Sequence, residues 1–390
     1  MDFAGGRQRL LLELLQAGLE AADGRRCVRE ALAAKPPGPA PVWAAAVGKA
    51  ACSMALGAVD ALGGVLGRLL VITQSGHVVP ELRSRSGVEI HESAHPVPDE
   101  RSLAAGQRLL DWVDDLPAEV APLFLVSGGA SSLVEVLEPG VSLQKLEQLS
   151  AGWLAEGIAI GELNARRARI SRIKGGRLAA RLGGRAAQAL FLSDVPGDDP
   201  AVIGSGLLGP ARGGADHIER QVVASVDRAI GGVAQAAAQQ GLTVACVRER
   251  FEGDAARLGA RFAHELLVGN TQVRVWGGES TVCLPPHPGR GGRNQHLALA
   301  AARFLTEYPE LLLLAAGTDG TDGPTDAAGG LVDADTCARV ALAGLDADDC
   351  LARADSGTAL AAAGALVRTG PTGTNVADLV IGLKLPPGPA

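Results

Sequence analysis

The sequence predicts an α/β protein built from two domains. At 390 residues the chain is longer than a single hydrophobic core usually grows. Strand-like apolar runs alternate with helical segments, which is typical of a parallel sheet covered by helices. Hydrophobic residues make up 47% of the chain and charged residues 20%, a globular composition. We place the domain boundary near residue 240, giving domains 1–240 and 241–390.

The first domain is predicted to be a Rossmann-like α/β/α sandwich. Residues 7–34 carry leucine and alanine at helical spacing and end at the Pro/Gly-rich segment 35–41. The expected strands are 42–47, 69–73, 88–91, 122–126 and 189–193, and the expected helices lie near 50–62, 100–115, 142–160 and 216–240.

The second domain is expected to be smaller and also α/β. Its predicted strands are 242–247, 272–276, 280–284, 311–316 and 378–384, and its predicted helices lie near 253–268, 292–307, 333–343 and 356–367.

The apolar run 311–316 leads directly into a glycine-rich loop that carries Asp319, Asp322 and Asp326. A run of this kind is typical of a buried parallel strand, and ligands of open α/β sheets bind where such strands end. The segment therefore predicts a ligand site with carboxylates that manage a metal or a proton. An ordinary solvated turn remains the alternative, because turns are made of the same residue types.

Charge and hydropathy exclude several classes of function. The formal net charge of −7, from 36 basic and 43 acidic residues, gives no electrostatic footprint for nucleic acid. The N-terminal segment lacks the apolar core of a signal peptide, and no apolar run reaches the length of a membrane span. The six cysteines are scattered without metal-ligand spacing. We expect a soluble cytoplasmic protein that contacts neither nucleic acid nor membrane.

The loop 127–133, S-G-G-A-S-S-L, follows the predicted strand 122–126. Its two glycines allow backbone amides to converge on one point, which suits an anion, and its serine hydroxyls add donors. We predict phosphate binding here, with a plain tight turn as the alternative. The predicted residues are Ser127, Gly128, Gly129, Ser131 and Ser132.

Two lysines also lie beside glycines in predicted loops. The chain contains only five lysines, and Lys49 and Lys174 adjoin Gly48 and Gly175. A compact cation at a strand end suits contact with a phosphate or a carboxylate. A solvated surface lysine is the alternative. The Gly48-Lys49 loop is not a Walker A sequence, because the earlier glycine is replaced by Trp43.

Two further charged residues are predicted to lie near a ligand. Asp194 directly follows the strand 189–193 and is the best metal-ligand candidate of its loop. Arg293 opens a predicted helix after Gly291-Gly292, where it could stabilise a transferring phosphoryl group.

Two literal motif matches carry no weight, and a third motif is absent. The segment 91–95 reads H-E-x-x-H, but zinc proteases need both histidines on one helix face, and Pro96 follows directly. His95 is instead predicted to be a loop residue near the substrate. The segment 204–209 reads G-x-G-x-x-G but lies between prolines, whereas a dinucleotide fingerprint joins a strand to a helix. No G-x-S-x-G nucleophile elbow occurs in the sequence.

Taken together, these loops resemble those of the class II glycerate 2-kinase family, whose second domain is called the MOFRL domain. The resemblance is nearly full length. It rests on the Gly48-Lys49 loop, His95–Asp99, Ser127–Ser131, Lys174–Leu178, Leu192–Asp198, Gly277–Glu279, Gly291–Gln295, the 317–330 loop and Thr369–Asn375.

The resemblance implies an ATP-dependent kinase that phosphorylates D-glycerate at its 2-hydroxyl with Mg²⁺, with the active site in the cleft between two α/β domains. It implies that Lys49, Asp194, Arg293 and Asp319 are catalytic, and that Asp194 and Glu279 hold the metal. The Ser127–Ser132 loop, Lys174 and Gly175 would bind nucleotide phosphates. The implied substrate-binding residues are His95, Asn164, Arg167 and Asp322.

Two other functions remain open from the sequence. One is an NAD(P)H-dependent reductase of hydroxypyruvate or tartronate semialdehyde, which the misplaced glycine motif disfavours. The other is a non-catalytic protein that binds glycerate or a nucleotide, which the retained charged residues disfavour. The choice between 2- and 3-phosphoglycerate as product is also open, as is assembly into a homodimer.

Overall fold

The computed structural model describes residues 6–38, 41–155, 160–211 and 216–385, except for the side chains of 150–155 and 160–164. The chain forms two compact units. The first, here called the Rossmann unit, comprises Asp23–Ser225 and Gly373–Asn375. The second, here called the mixed-sheet unit, comprises Met1–Ala22, Val226–Thr372 and Val376–Ala390.

The helices, in chain order, are α1 (Gly6–Ala21), α2 (Gly24–Ala34), α3 (Ala51–Leu62), α4 (Pro80–Arg83), α5 (Glu100–Asp114), α6 (Ala130–Leu133), α7 (Leu143–Ala155), α8 (Ile160–Arg169), α9 (Arg177–Arg181), α10 (Val226–Gln239), α11 (Ala255–Val268), α12 (Arg293–Leu305), α13 (Thr336–Leu342), α14 (Ala347–Ala352) and α15 (Ser356–Ala362).

The strands are β1 (Val42–Val47), β2 (Leu66–Gln74), β3 (Val88–Ser93), β4 (Ala121–Val126), β5 (Ala187–Leu192), β6 (Ile218–Ala224), β7 (Val244–Cys246), β8 (Phe251–Asp254), β9 (Val273–Thr281), β10 (Leu311–Gly317), β11 (Gly329–Val332), β12 (Leu366–Val367) and β13 (Asp378–Lys384).

The Rossmann unit is built on a parallel sheet with the strand order β3-β2-β1-β4-β5-β6. Strand β1 is central, with Ala45 in register between Leu70 and Phe124. The chain runs outward in opposite directions from β1 and β4, so the loops after these two strands flank the topological switch point where ligands of this fold bind. The predicted α/β class and the parallel first sheet are confirmed.

The predicted helix 216–240 is wrong in its first part. Residues 218–224 form β6, and α10 begins only at Val226. Strand β6 ends the sheet order and pairs with β5, so several of its side chains stay in contact with solvent. An edge strand with exposed polar residues lacks the continuous apolar run by which buried strands are recognised.

The N-terminal segment also differs from its prediction. The expected helix over 7–34 is broken into α1 and α2 at Asp23, whose side chain accepts the amide hydrogen of Arg26 and caps α2. Helix α1 belongs to the mixed-sheet unit, where it packs against α10. The division of the chain therefore falls at Asp23 and Val226 and differs from the single boundary expected near residue 240.

The mixed-sheet unit contains strands in the order β12-β11-β10-β13-β9-β7, with β8 paired to β9. Strand β10 is antiparallel to both β11 and β13, so the expectation of a parallel strand over 311–316 is wrong. All of β10 is nevertheless buried, because helices α1, α11 and α12 contact it. Burial on both faces produces the same apolar run in an antiparallel strand as in a parallel one.

The two strands expected at 272–276 and 280–284 are a single strand, β9. The glycines in the middle of β9 allow a close approach to β8. A Cβ atom at Gly278 would lie 2.1 Å from the carbonyl oxygen of Phe251 on β8. Among the described residues, no helix combines the length and hydropathy needed to span a bilayer.

Candidate active site

The carboxyl ends of the parallel strands carry most of the residues predicted to act in the Rossmann unit. Lys49 follows β1, the loop 127–129 follows β4, Asp194 follows β5 and His95 follows β3. Parallel strands end at the same edge of a sheet, so residues far apart in sequence converge there.

The loops after β1 and β4 are in direct contact at the switch point. The amide of Lys49 donates to the carbonyl oxygen of Gly128 at 2.9 Å, and the amide of Ala50 donates to the Ser127 hydroxyl at 3.1 Å. Gly48 has a φ of 134°, and a Cβ atom there would lie 2.1 Å from the Ser127 hydroxyl oxygen. Only glycine can occupy this position, so the pairing explains the Gly48-Lys49 sequence.

Gly128 and Gly129 bring charged and polar side chains close to the same loop. A Cβ atom at Gly128 would lie 1.8 Å from a carboxylate oxygen of Asp194 and 2.2 Å from the amide nitrogen of Asn375, which itself donates to Asp194 at 3.3 Å. A Cβ atom at Gly129 would lie 3.0 Å from Cγ of Lys49 and 3.3 Å from Cδ2 of His95.

The amides of Gly128 and Gly129 make no hydrogen bond within the described part of the chain. A backbone donor left unpaired beside a cavity is available to an anion. The loop thus has the backbone donors that the sequence predicted for it.

A cavity of about 250 Å³ lies in the Rossmann unit at these strand ends. It brings together seven residues that the sequence predicted for the site, along with two polar residues, Glu135 and Ser205, that sequence reasoning missed. The lining residues are His95, Pro96, Pro98, Gly129, Ser131, Ser132, Glu135, Leu146, Arg167, Lys174, Asp194, Val195, Val202, Gly204 and Ser205.

Lys174 and Glu135 form a buried ion pair in the cavity wall. Their side chains are 2% and 1% exposed, and Nζ of Lys174 lies 2.5 Å from Oε2 of Glu135. The other oxygen of Glu135 accepts hydrogen bonds from the Ser171 hydroxyl at 2.5 Å and from the amide of Val136 at 3.0 Å. Burial lowers the pKa of Lys174, and the Glu135 carboxylate offsets part of that shift. Lys174 was predicted to bind phosphate, but its ammonium already has a carboxylate partner.

Arg167, like Lys174, is a cationic side chain in the cavity wall that lies outside the strand-end loops. Burial lowers the pKa of Arg167, and Glu135 acts in the opposite direction. Arginine remains protonated even so. Asn164 belongs to the same helix, α8, and its side chain lies outside the described residues.

Ser131 and Ser205 lie together in the cavity wall, and Gly175 supports the backbone of Ser205. The hydroxyls of Ser131 and Ser205 are 2.6 Å apart. Gly175 has a φ of 62°, and its amide donates to the carbonyl oxygen of Ser205 at 2.9 Å. Ser205 belongs to the G-x-G-x-x-G match that the sequence analysis set aside, and Glu135 belongs to no motif. Ser205 and Glu135 are recognised as site residues only because the fold places them close to the other loops of the cavity.

The mixed-sheet unit holds the remaining predicted residues. Arg293, the first residue of α12, bonds Asp378 through two nitrogens at 2.6 and 3.0 Å, and Glu279 lies 2.9 Å from a third nitrogen. Burial acts to lower the pKa of Arg293, but Asp378 and Glu279 outweigh it and raise the value above its usual range. Glu279 was predicted to bind metal, whereas in the structure it helps to neutralise this guanidinium.

Asp322 is buried and caps helix α12. Its carboxylate accepts the amide hydrogens of Asn294 at 3.0 Å and Gln295 at 2.8 Å, and the Gln295 side-chain amide at 3.0 Å. Burial raises the pKa of Asp322 to about 6, although the two amide bonds oppose this shift. A carboxylate bonded in this way stabilises the start of a helix. Asp322 therefore has a structural function that does not depend on its predicted role in substrate binding.

The two other aspartates of this loop also have partners. One Asp319 oxygen accepts hydrogen bonds from the amide and the hydroxyl of Thr321 at 2.9 and 3.0 Å. Asp326 pairs with Arg290 and Arg368 at the surface. Among the described residues, no group of three or more His, Cys, Asp and Glu side chains has the geometry of a metal site.

The fold defines an α/β protein of the doubly wound kind with a cavity at the carboxyl ends of its parallel strands, the edge at which ligands of such folds bind. Comparison with known families agrees with this class. Residues 10–228 match a family described as a domain of unknown function, DUF4147, and residues 272–378 match the MOFRL family.

Individual relatives are similar over most of their length. D-glycerate 2-kinase of Thermotoga maritima is 35% identical, with 96% of this chain and 98% of the relative aligned. A protein of Agrobacterium vitis, named provisionally as a hydroxypyruvate reductase, is 36% identical, with 80% of this chain and 90% of the relative aligned. The crystal structure of glycerate kinase from Thermotoga maritima superposes with a TM-score of 0.86, covering 97% of this chain and 99% of that one.

The chain therefore belongs to the glycerate 2-kinase family that combines a DUF4147 domain with a MOFRL domain.

Proposed function

We propose that this protein phosphorylates D-glycerate with ATP at the 2-hydroxyl, giving 2-phosphoglycerate and ADP. The proposal is supported by family membership over nearly the whole chain and by the activity named for the Thermotoga maritima relative. The observation that carries it at the site is a small polar cavity at the carboxyl ends of the parallel strands, whose wall includes Arg167 and the hydroxyls of Ser131 and Ser205.

The size of the cavity suits the phosphate acceptor better than a nucleotide. Its volume of about 250 Å³ falls below the roughly 300–1,000 Å³ of pockets that enclose drug-sized ligands. A three-carbon hydroxy acid is far smaller than ATP. We therefore assign the cavity to glycerate, with Arg167 facing its carboxylate. This revises the assignment of Ser131, Ser132 and Lys174 to nucleotide phosphates that the resemblance implied.

The chemical step needs positioning and charge neutralisation more than covalent catalysis. The 2-hydroxyl oxygen attacks the γ-phosphorus of ATP, a new O–P bond forms, the bond to the bridging oxygen of ADP breaks, and the hydroxyl proton passes to a base. We propose that the amides of Gly128 and Gly129 and the ammonium of Lys49 stabilise the moving phosphoryl group, and that Arg293 contributes charge stabilisation. Asp319 is proposed to orient the hydroxyl and accept its proton.

The chain offers a carboxylate for Mg²⁺ in Asp194, whose oxygen lies beside Gly128. Mg²⁺ in kinases takes one or two protein carboxylates and completes its shell with water and substrate phosphates, so a site without three protein ligands is compatible with it. When bound, the ion would neutralise the charge of the nucleotide phosphates. Because Glu279 is paired with Arg293, we propose Asp194 alone as the metal ligand.

The test is a product assay on purified protein with Mg-ATP and D-glycerate. Phosphorus NMR separates 2-phosphoglycerate from 3-phosphoglycerate. We expect the 2-phosphoglycerate signal, and we expect Arg293→Ala to reduce its rate of formation by about 100-fold or more, in line with the loss of a charged group that stabilises a transition state. Arg303→Ala changes an exposed arginine of the same helix and should leave the rate unchanged.

A second function, reduction of hydroxypyruvate, is favoured only by the name of the Agrobacterium vitis relative. Within the described residues, no dinucleotide fingerprint supports it. The G-x-G-x-x-G match at 204–209 lies between β5 and β6, partly in a 3₁₀ turn, and does not join a strand to a helix. Oxidation of NADH with hydroxypyruvate, together with no product from ATP and glycerate, would overturn the kinase proposal.

The remaining expectations are also proposals. We place the protein in the cytoplasm, which fractionation of cells would test. A homodimer is proposed for the assembly, and light scattering coupled to size-exclusion chromatography would measure its mass directly.

A further inference from the structure

Ser205 has a backbone conformation that serine rarely adopts. Its φ is 58°, and its neighbours Gly204 and Gly206 have φ values of 59° and 68°, so three consecutive residues lie in the left-handed region. Glycine enters this region without steric cost, whereas a serine pays conformational free energy for its Cβ atom. The glycines at 204 and 206 fit this backbone, and the serine between them does not.

The backbone around Ser205 is held in this conformation by the loop opposite. The amide of Gly175 donates to the carbonyl oxygen of Ser205 at 2.9 Å, and the amide of Gly176 donates to that of Gly206 at 2.7 Å. The Ser205 amide donates to the carbonyl oxygen of Val202 at 2.9 Å. These bonds use main-chain atoms alone, so a glycine at 205 would keep them and remove the strain.

The side chain of Ser205 therefore needs a separate explanation, and its surroundings supply one. Ser205 lines the cavity, is 7% exposed, and its hydroxyl lies 2.6 Å from that of Ser131. Two hydroxyls joined by one hydrogen bond use one of their two hydrogens, and the second hydrogen remains for another acceptor. Strain at a residue that faces a ligand cavity is a recognised mark of function.

We propose that Ser205 is a specificity-determining residue, whose hydroxyl, polarised by Ser131, binds the carboxylate of the acceptor substrate. The inference rests on the proposed function and adds a residue to it. Bonds in a chain of hydroxyls strengthen one another, and a hydroxyl bonded to a carboxylate makes a charge-assisted bond. Arg167, on the same cavity wall, supplies the positive charge, while the hydroxyl pair fixes where the carboxylate lies.

The decisive variant is Ser205→Gly, because it removes the hydroxyl and relieves the strain together. A purely structural serine would make this change neutral or stabilising with unaltered ligand binding. Ser205→Ala removes the hydroxyl and keeps the strain, and Ser131→Ala removes the partner. Ala354→Gly is the matched control, since Ala354 also has a left-handed φ, of 52°, and lies in the mixed-sheet unit.

The measurement is calorimetric titration of D-glycerate into the full chain in the presence of a non-hydrolysable ATP analogue, with the Tm of each variant and the KM for ATP recorded in parallel. For Ser205→Gly we expect a Tm at or above the wild-type value, glycerate affinity weakened about ten-fold or more, and a KM for ATP within two-fold of wild type. Ser205→Ala should lose similar affinity with a lower Tm. Ala354→Gly should leave glycerate affinity unchanged.

The outcomes separate the inference from the proposed function. Glycerate affinity of Ser205→Gly within two-fold of wild type would overturn the role of Ser205, even if the wild-type protein is an active kinase. Wild-type protein that binds glycerate but forms no phosphoglycerate would overturn the kinase reaction and leave the Ser205 result standing. A large change in the KM for ATP alone would mean that the hydroxyl binds a phosphate oxygen, and would also overturn the inference.

Discussion

At the scale of single residues, the main finding is that several charged groups predicted to meet a ligand are held first by protein partners. Lys174 bonds Glu135, Arg293 bonds Asp378, and Asp322 accepts the amides that open α12. A buried charge must be paired or hydrogen-bonded to avoid a large desolvation cost, and because Glu135, Asp378 and Asp322 are buried, these contacts serve stability as well.

The pair of Lys174 and Glu135 gives a prediction on stability. Removing one partner leaves the other charge buried and unpaired, so Lys174→Met should lower the free energy of unfolding by about 3–5 kcal/mol. The double variant Lys174→Met/Glu135→Gln should lose less than the two single variants combined. Urea unfolding measures both quantities. Lys145→Met, which changes an exposed lysine, serves as the control, and equal losses for the two lysine variants would contradict the prediction.

Asp322 gives a prediction on pH dependence. Its pKa is raised from 3.8 to about 6 in the folded protein. As the pH falls through this window the folded state takes up a proton that the unfolded state does not, so this group adds stability below pH 6 and the gain is lost as the pH rises.

The wild-type protein should therefore gain stability relative to Asp322→Asn as the pH is lowered from 7 to 4. A shift of roughly two pKa units corresponds to at most about 3 kcal/mol. Chemical unfolding at several pH values measures this difference, with Asp111→Asn as an exposed control on α5. Parallel pH curves for the wild-type protein and Asp322→Asn would contradict the raised pKa.

At the scale of elements, glycines determine how closely the strand-end loops approach. A Cβ atom at Gly48 would clash with Ser127, and a Cβ atom at Gly128 would clash with Asp194. A Cβ atom at Gly129 would lie unusually close to Lys49. The sequence predicted Gly128 and Gly129 as anion-binding residues, and the structure adds that both are also packing residues. Two loops can bring backbone amides and side chains to one point only where glycine, which has no side chain of its own, leaves room for them.

Gly128→Ala should accordingly lower kcat/KM for phosphoryl transfer by about 100-fold or more, because the added methyl group would displace Asp194 or Asn375, and small displacements at a reacting centre are costly. Steady-state kinetics would measure the loss. Gly64→Ala is the matched control, since a Cβ atom there meets nothing within 4 Å. Retention of full activity in Gly128→Ala would contradict the contact between the loop and Asp194.

At the scale of the whole molecule, the chain begins in the mixed-sheet unit, passes through the Rossmann unit and returns to the mixed-sheet unit. Helix α1 belongs with residues 226–372, and it packs closely on α10, where a Cβ atom at Gly232 would lie 2.6 Å from the carbonyl oxygen of Ala17. Helix α1 buries Leu11, Leu14, Leu15 and Leu19 in that unit. The N-terminal segment is thus part of the core of the unit that contains the C-terminal strands.

We expect Leu14→Ala to lower stability by about 2–5 kcal/mol, the cost of a large-to-small change at a fully buried site. Hydrogen exchange should show the loss of protection in α10 and β13, which α1 contacts. Gln16→Ala, on the exposed face of the same helix, is the control. Unchanged exchange in α10 would contradict the packing of α1 on that helix.

Much of the fold could be predicted from the sequence, since β1 and β13 have the bounds expected from their apolar runs and α5 and α12 begin within one residue of the expected positions. Strand β6 was missed because an edge strand lacks a strong apolar pattern, and β9 was divided because its glycines imitate a turn. Of the site, the strand-end loops could be predicted, because glycine-rich segments after apolar runs are local features.

The sequence by itself determined the α/β class, the order of most elements and the loops that carry Lys49, Asp194 and Gly128, because periodicity and turn chemistry act over a few residues. Only the tertiary structure decided that β10 is antiparallel, that α1 joins the later half of the chain, and that Glu135 and Ser205 line the cavity with Lys174. These outcomes depend on burial and pairing between residues far apart in sequence, and no local pattern records which distant residue supplies the partner.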